Sequence, residues 1–370
     1  MAPDGPGRAS KPKKRKTIKD VAAAADVSVS TVSLALNGTG YVSADTRARV
    51  VATARRMGYV ARPAARQLAS RQTGNIGFAL RTDHFARSEP FYTHVFLGAE
   101  FEADLHDRYV LLATIPDVYT PGDDTPRFLR ERNVDGILIA GKVAPEFIEE
   151  VQSTGLPIVM IDFESNGHPA VVIDNQAGAR MAVEHLIALG HRNIAFLGAD
   201  IEHPAIRARL DGYRLALASA DITVNHDHII VEASRNPDVE TGQLLGDRLL
   251  ATTPLPTAAV CVNDAVALGL LDAAVMAGVS VPGDLSVVGF DDVAGARTST
   301  PPLTTVRVFK ERLGGLAVKY LEDLINETVP TPAAEAGRRP HNIKVPVELI
   351  VRDSTSPRSS GAESTSADAR

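Results

Sequence analysis

Cysteine, tryptophan and long apolar stretches are scarce or absent in this sequence of 370 residues. The single cysteine, Cys261, excludes an internal disulfide and any metal site built from clustered cysteines. No apolar run approaches the roughly 20 residues that span a membrane, and no apolar region follows the basic N-terminus as in a signal peptide. We therefore expect a cytoplasmic protein that does not enter a membrane.

The short motifs of common enzyme classes are also missing. There is no Gly-x-Ser-x-Gly elbow, no phosphate-cradling Gly-Lys-Ser/Thr loop and no dinucleotide fingerprint after the first strand-like run. The 10 histidines lack the spacing of metal ligands, and Cys261 lies in the apolar run AAVCV, which favours a buried, inert thiol. The sequence predicts a protein that is not an enzyme and that needs no metal or cofactor.

Charge is divided unevenly along the chain. Residues 1–71 contain 14 Lys and Arg against 4 Asp, whereas the remaining residues contain 25 basic and 41 acidic side chains. The whole chain nevertheless has a formal net charge of −6. Such asymmetry indicates a cationic head that binds a polyanion, joined to an acidic body.

The head contains the stretch TIKDVAAAADVSVSTVSLALN, residues 17–37, which predicts two short helices joined at a tight corner. Thr17 and Asp20 have the spacing of a capping box, and Ser28 can cap the second helix. The outer face of that helix has small polar and methyl-bearing side chains, which read base edges while nearby cations hold phosphates. In a cationic setting this pattern predicts a DNA-binding helix-turn-helix, completed by a third helix between Ser43 and Gly58.

The body begins near residue 75, where short apolar runs start to alternate with amphipathic helical stretches. Continuous apolar runs separated by helices are typical of parallel strands that are covered on both faces. There are too many runs for one modest sheet, so we expect two doubly wound parallel-sheet lobes. Such sheets bind ligands beyond the carboxyl ends of their strands, which here means a cleft between the lobes.

Three stretches of the head together identify a family resemblance: TIKDVAAAADVSVSTVSLALNG, YVSADTRARVVATARRMGYV and ARPAARQLAS. They resemble the head of the LacI/GalR family of bacterial transcription regulators, and the resemblance continues to about residue 353. It implies a periplasmic-binding-protein-like body whose two lobes are joined by three crossovers. By motif these fall near residues 174–178, 302–307 and 327–333.

The predicted organisation has five parts. In chain order they are a disordered basic tail (1–16), a helix-turn-helix domain (17–60), a hinge helix (61–71), an effector-binding and dimerisation domain (74–353) and a disordered tail (354–370). Lobe 1 is expected at about 74–174 and 307–327, and lobe 2 at about 178–302 and 333–353. The basic tail fits a DNA-contacting arm and a solvated segment equally well.

The resemblance also implies which residues contact DNA. In the hinge, Leu68 would wedge into the central minor-groove step, at a cost repaid by the kinked duplex. The predicted DNA-contacting residues are Thr17, Ser28, Val29, Ser30, Thr31, Ser33, Leu34, Asn37, Tyr59, Arg62, Ala65, Arg66 and Leu68. Two of them depart from the family: Leu34 stands where an Arg is usual, and Arg62 where an Asn is usual. Leu34 cannot make a bidentate guanine contact, so the operator should differ there.

Effector contacts are implied at the carboxyl ends of strands and at helix starts. Arg209 and Asp291 match two family contacts, and a guanidinium with a carboxylate suits the paired hydroxyls of a sugar. The predicted effector-binding residues are Phe91, Tyr92, Asp162, Arg209, Asn263 and Asp291. The alternatives are local roles, such as caps for the polar side chains and core packing for the aromatic ones.

The sequence thus predicts a repressor that binds a palindromic operator as a homodimer and is controlled by a small molecule. A sugar is the first choice of effector, and a nucleobase is second because no tryptophan is present to stack on it. An inducer and a corepressor are both compatible with the sequence. A solute-binding protein is the remaining alternative, although the basic head and the missing signal peptide argue against it. The C-terminus has no heptad repeat, which favours a dimer over a tetramer.

Overall fold

The computed structural model describes residues 16–37, 41–59, 72–82, 91–165, 167–326 and 342–358. The chain divides into two compact units, Met1–Gly74 and Asn75–Arg370. The predicted basic tail before Lys16 and the predicted hinge, with Arg62, Ala65, Arg66 and Leu68, lie outside the described residues. No helix among the residues described is long and apolar enough to cross a membrane.

The first unit contains three helices, α1 (Ile18–Ala25), α2 (Val29–Asn37) and α3 (Ala44–Met57). Thr17 and Asp20 form both hydrogen bonds of the predicted capping box, and the Ser28 hydroxyl accepts the N–H of Thr31 at 3.0 Å. The helices pack through a small core of Val21, Ala22, Ala25, Val32, Ala35, Val50 and Ala54. Small side chains allow the helices to approach closely, as a helix-turn-helix requires.

Lobe 1 is built on a six-stranded, wholly parallel sheet. Its strands are β1 (Asn75–Arg81), β2 (Tyr109–Ile115), β3 (Ile137–Ala140), β4 (Ile158–Ile161), β5 (Ala170–Ile173) and β11 (Ile343–Val345). Their order is β11-β5-β4-β3-β1-β2. The lobe 1 helices are α4 (Phe91–Leu105), α5 (Arg127–Arg130), α6 (Pro145–Ser153) and α12 (Lys310–Asn326).

Lobe 2 is built on a second six-stranded sheet. Its strands are β6 (Ile194–Ala199), β7 (Ile229–Glu232), β8 (Ala258–Cys261), β9 (Ser286–Asp291), β10 (Thr304–Arg307) and β12 (Glu348–Ile350). Their order is β12-β10-β9-β8-β6-β7, and only β12 runs antiparallel to its neighbour. The lobe 2 helices are α7 (Asn175–Ala188), α8 (Pro204–Ser219), α9 (Val239–Leu250), α10 (Asp264–Ala277) and α11 (Ala294–Thr298).

Two of the three crossovers between the lobes lie at positions other than those predicted. The first joins β5 to α7, as expected. Strand β10 pairs with β9, so the second crossover lies after Arg307, between β10 and α12, rather than at 302–307. The predicted crossover at 327–333 is wrong: β11 pairs with β5 in lobe 1 and β12 with β10 in lobe 2, so the third crossover lies between Val345 and Glu348.

The predicted C-terminal disorder is also wrong for residues 354–358. Ser354 is fully buried, and its hydroxyl accepts the N–H of Thr304 at 2.8 Å and donates to the carbonyl of Val287 at 2.6 Å. The N–H of Ser356 reaches the hydroxyl of Ser286 at 3.2 Å. A polar, low-complexity segment is therefore held on lobe 2 by hydrogen bonds to otherwise unsatisfied buried groups. Residues 359–370 lie outside the described residues.

A close crossing between α4 and α12 fixes one wall of lobe 1. A Cβ atom on Gly314 would lie 1.9 Å from the carbonyl oxygen of Val95, and one on Gly98 would lie 2.0 Å from that of Glu311. Only glycine lets the two backbones approach this closely. The first turns of both helices, with Tyr92 on α4 and Lys310 on α12, are thereby held beside the carboxyl ends of the strands.

Candidate functional site

The first unit presents α2 with an exposed outer face. Val29 and Leu34 are 41% and 37% exposed, so their methyl groups are accessible on this face. The Ser28 hydroxyl lies 2.7 Å from that of Ser30 and 2.8 Å from that of Thr31. The surface therefore offers methyl groups beside hydroxyls, which can contact thymine methyls and base edges.

The other residues of this unit that were predicted to contact DNA differ in their solvent exposure. Thr17 is exposed at the start of α1, whereas Tyr59 is half-buried against the helical core. Ser33 is half-buried on α2. Tyr41 was not predicted, yet it is 98% exposed just before α3.

The body brings two predicted pairs together across its lobes. From lobe 1, the Tyr92 hydroxyl donates to Asp162 Oδ2 at 3.3 Å. From lobe 2, Arg209 Nη2 lies 3.5 Å from Asp291 Oδ1. The charges of Arg209 and Asp291 alter the pKa of Tyr92, so the two pairs form one electrostatic cluster. We call Tyr92, Asp162, Arg209 and Asp291 the cleft cluster.

Backbone geometry aims the two carboxylates of the cleft cluster. Asp162 directly follows β4 with φ 57°, and Asp291 ends β9 with φ 109°. Positive φ is costly for residues other than glycine and persists where the surrounding structure enforces it, commonly at ligand sites. Both aspartates lie at the carboxyl ends of parallel strands, as the sequence predicted.

Arg209 is held from several directions within lobe 2. Its Nε donates to Asn175 Oδ1 at 2.8 Å, and its Nη1 donates to the Val262 carbonyl at 2.6 Å. Its guanidinium carbon lies 3.8 Å from the centre of the Phe290 ring. These contacts stabilise a buried cation that would otherwise be costly. Asn175 and Phe290 were not predicted, although both lie at the carboxyl ends of strands, where the same rule could have found them.

Burial dominates the electrostatics of the cleft cluster. It raises the pKa of Asp162 to about 7, with Arg209 acting to lower that pKa and Asp291 to raise it. Burial also raises the pKa of Asp291, against the opposing charges of Arg209 and Lys310. Among the described residues, Asp162 Oδ1 and Asp291 Oδ1 are buried without a hydrogen bond. Asp291 Oδ1 still has the 3.5 Å ion pair with Arg209, so Asp162 Oδ1 is the acceptor of the site that is left without any partner among the described residues.

The remaining predicted effector residues have different surroundings. The Phe91 ring is half-buried and faces the Lys310 ammonium at 5.7 Å. Asn263 instead caps α10: its Oδ1 accepts the N–H of Val266 at 2.9 Å, and its Nδ2 donates to the Pro237 carbonyl at 2.7 Å. This is the local role that its position also allowed. Within the described part of the chain, no cluster of His, Cys, Asp and Glu could hold a metal ion.

Comparison with known proteins matches both units. Residues 17–61 match bacterial regulatory proteins of the lacI family, and residues 183–355 match a periplasmic binding protein-like domain. The HTH-type transcriptional repressor PurR of Vibrio campbellii is 32% identical over 315 residues, which cover 84% of this chain and 92% of the relative. PurR of Haemophilus influenzae is 30% identical over 341 residues, covering 91% and 98%.

Solved structures agree with these matches. The lac repressor dimer bound to operator and the anti-inducer ONPF has a TM-score of 0.71 and 29% identity, covering 93% of this chain and all of that one. The transcriptional regulator CelR in complex with cellobiose has a TM-score of 0.66 and 28% identity, covering 92% and 100%. A helix-turn-helix unit, two parallel α/β lobes and these relatives together show that the chain is a DNA-binding transcriptional regulator and belongs to the lacI family of bacterial regulatory proteins.

Proposed function

We propose that this regulator is a homodimeric repressor that acts in the cytoplasm and whose operator affinity is set by an uncharged, hydroxyl-rich small molecule, a sugar, bound between lobes 1 and 2. One observation carries the proposal. Asp162 Oδ1 on lobe 1 is a buried acceptor without a hydrogen bond among the described residues, and Asp291 Oδ1 on lobe 2 has only its 3.5 Å ion pair with Arg209.

Such acceptors favour a ligand that brings donors. Leaving a buried polar atom without a hydrogen bond costs about 1–3 kcal/mol, which a ligand hydroxyl would recover. Arg209 already donates to Asn175 and to the Val262 carbonyl, so much of its capacity is used within the chain. A phosphate or carboxylate ligand would add negative charge beside two carboxyl groups whose own charged forms burial already disfavours. Sugar hydroxyls donate without adding charge, and the Phe91 and Tyr92 rings can cover a ring face.

A nucleobase is the second candidate, because the curated relatives that are 30–32% identical are named PurR. Base N–H groups are also donors, and a base could stack on the same aromatic rings. The CelR complex contains cellobiose, which favours the sugar. The two candidates therefore rest on different observations and need a direct test.

The proposed control is a shift between two lobe arrangements. A ligand that contacts Asp162 and Asp291 at once favours the arrangement in which both can reach it, and thereby changes the population that binds DNA. A tenfold change in operator affinity requires about 1.4 kcal/mol of differential binding. An inducer and a corepressor differ only in which arrangement they prefer.

The homodimer is supported by an apolar surface on lobe 1. Phe101 and Leu105 on α4 are 64% and 78% exposed, and Tyr109 and Val118 near the edge strand β2 are 70% and 83% exposed. Exposed apolar patches and open strand edges are typical of interfaces. Replacing Leu105 with Asp should therefore convert the dimer to monomers in sedimentation analysis.

The effector is tested by thermal shift on the full chain with sugars and nucleobases, because a ligand that binds only the native state raises the melting temperature. We expect a sugar to raise it in the wild type and to leave the Arg209→Ala variant unchanged. A response to nucleobases alone would select the second candidate. A ligand that stabilises both proteins equally would contradict the cleft assignment.

The DNA-reading surface has its own test. Leu34 is the position at which we expect this operator to depart from those of the family, through contact with a thymine methyl. Leu34→Arg should change the preferred base at one position of each half-site when both proteins select from a randomised palindromic library. An unchanged preference would contradict the contact.

A further inference from the structure

A cavity of about 700 Å³, lined by none of the residues of the cleft cluster, lies at the crossover between β10 and α12. Its wall is cationic. Its basic lining residues are His94, Arg297, Arg307, Lys310 and Arg312, and its acidic ones are Asp292 and Glu311. This volume falls within the range of sites for small molecules, roughly 300–1,000 Å³. Counting histidine as neutral, the lining has two more positive than negative charges.

The acidic side chains of this wall already have partners. Asp292 accepts from Arg307 Nε at 2.7 Å and from Arg297 Nη2 at 3.3 Å, and it also pairs with Arg352. Three guanidiniums thus share one buried carboxylate. The Glu311 carboxylate lies 3.3 Å from the His94 ring. The local balance favours an anion.

Two of the arginines retain donors that face the open cavity. The Arg297 side chain is 62% exposed and makes its one ion pair, among the described residues, through Nη2. Arg312 is exposed on the first turn of α12 and forms no ion pair with the residues that the structure describes. A guanidinium has five donors, so both side chains can still bind an oxyanion bidentately.

The cavity is formed by both lobes. Arg297 and Arg307 come from lobe 2, whereas His94 and Arg312 come from lobe 1. The two buried carboxyl groups of the cleft cluster disfavour an anion there, so we expect an uncharged ligand in the cleft and an anionic one in this cavity. The volume admits a phosphorylated monosaccharide with its phosphate on the arginines.

We propose that this cavity binds a small phosphorylated metabolite, whose phosphate bridges arginines of the two lobes. The cavity lining contains no residue of the cleft cluster, so binding of the anion does not require a ligand in the cleft. Its regulatory effect rests on the proposed function, because a bridging anion would favour one lobe arrangement and so alter operator affinity.

The test is calorimetric titration of the full chain with glucose 6-phosphate at constant ionic strength, with glucose as the uncharged comparison. We expect saturable binding of the phosphate ester that weakens about tenfold in Arg297→Gln and in Arg312→Gln, because each change removes charge-assisted hydrogen bonds. Arg130→Gln is the matched control, since Arg130 is exposed on lobe 1 and does not line the cavity. Melting temperatures of the variants verify that they fold.

Arg209→Ala distinguishes this proposal from the proposed function. Binding of glucose 6-phosphate that survives Arg209→Ala but is lost in the cavity variants supports the second site, whether or not any sugar binds the cleft. Binding lost in Arg209→Ala and kept in Arg297→Gln and Arg312→Gln would assign the ester to the cleft and overturn the second site. Saturable binding of a phosphoserine peptide without any of the sugar phosphate would overturn it in favour of a protein partner.

Discussion

Lobes 1 and 2 share a strand order but differ in how completely the polar side chains at the cleft are hydrogen-bonded within the protein. In each, five parallel strands are arranged with the first strand between the second and third, and a sixth strand from the C-terminal segment completes one edge. That sixth strand is parallel in lobe 1 and antiparallel in lobe 2. The sheet topology is thus repeated in the two lobes, whereas the polar side chains at the cleft are not.

The cleft face of lobe 2 is largely satisfied before any ligand binds. Arg209 is held by Asn175, the Val262 carbonyl and the Phe290 ring. On lobe 1, Asp162 accepts one hydrogen bond from Tyr92 and has a second, buried oxygen without one. Lobe 2 therefore provides a preorganised surface, whereas lobe 1 leaves one buried oxygen whose hydrogen bond the proposed ligand would supply.

The largest expected effect comes from disrupting the lobe 2 face. Arg209→Ala leaves Asp291 buried without the guanidinium that pairs with its carboxylate and should lower the free energy of unfolding by as much as about 5 kcal/mol. Urea denaturation measures the loss. Arg214→Ala is the control, since Arg214 lies on the same helix and its ion pair with Asp211 is exposed. Equal stability of the two variants would mean that lobe 2 is not preorganised around Arg209.

The next largest effect is the pH dependence of stability that Asp162 of lobe 1 causes. The folded state binds the Asp162 proton with a pKa of about 7, against 3.8 ordinarily. The native state therefore holds more protons than the unfolded state between these values, and its stability falls as pH rises from about 4 to about 7. Asp162→Asn should remove as much as about 4 kcal/mol of that fall, since one pKa unit equals about 1.4 kcal/mol.

Denaturation of both proteins from pH 4 to pH 8 checks this, with the difference between the two curves assigned to Asp162. Asp264 and Asp291 also have raised pKa values through burial, so the wild type alone would not isolate one residue. Parallel curves for wild type and Asp162→Asn would show that Asp162 titrates as it does in the unfolded chain.

The smallest effect concerns the hydrogen bond within lobe 1. Tyr92→Phe removes the 3.3 Å bond to Asp162 and should cost about 1 kcal/mol. That bond lowers the pKa of Asp162, so the variant should raise this pKa further. Carbon NMR of the carboxyl group measures the shift. Tyr119→Phe, which removes another lobe 1 hydroxyl, bonded to Glu150 and Thr125, should leave it unchanged.

Sequence reasoning succeeded where strong local rules act. The caps at Thr17, Ser28 and Ser43 were predictable because short polar side chains satisfy helix N–H groups. The carboxyl-end rule predicted Asp162 and Asp291, which the fold does bring together; their contact with an effector stays a prediction.

Prediction from the sequence failed where the pairing of strands depends on segments that are distant in the chain. Strands β11 and β12 have three residues each, too few for a periodic signal, so the third crossover was misplaced. The C-terminal segment looked disordered because its composition is polar, yet Ser354 fits a buried gap whose shape no local pattern encodes. Asn263 was predicted as a ligand contact because a capping asparagine and a binding asparagine occupy the same place after a strand.

The late crossovers have a consequence for how the protein is made. The helical unit leaves the ribosome before either lobe and can fold at once, because the residues of its small core all lie between Val21 and Ala54. Lobe 1 cannot complete its fold until much later. Five of its strands are synthesised by Ile173, but α12 and β11 follow only after nearly all of lobe 2. Both sheets then receive their last strand within a few residues of each other. A nascent chain therefore exposes unfinished sheet edges for most of its synthesis, the period in which chaperones would be needed most.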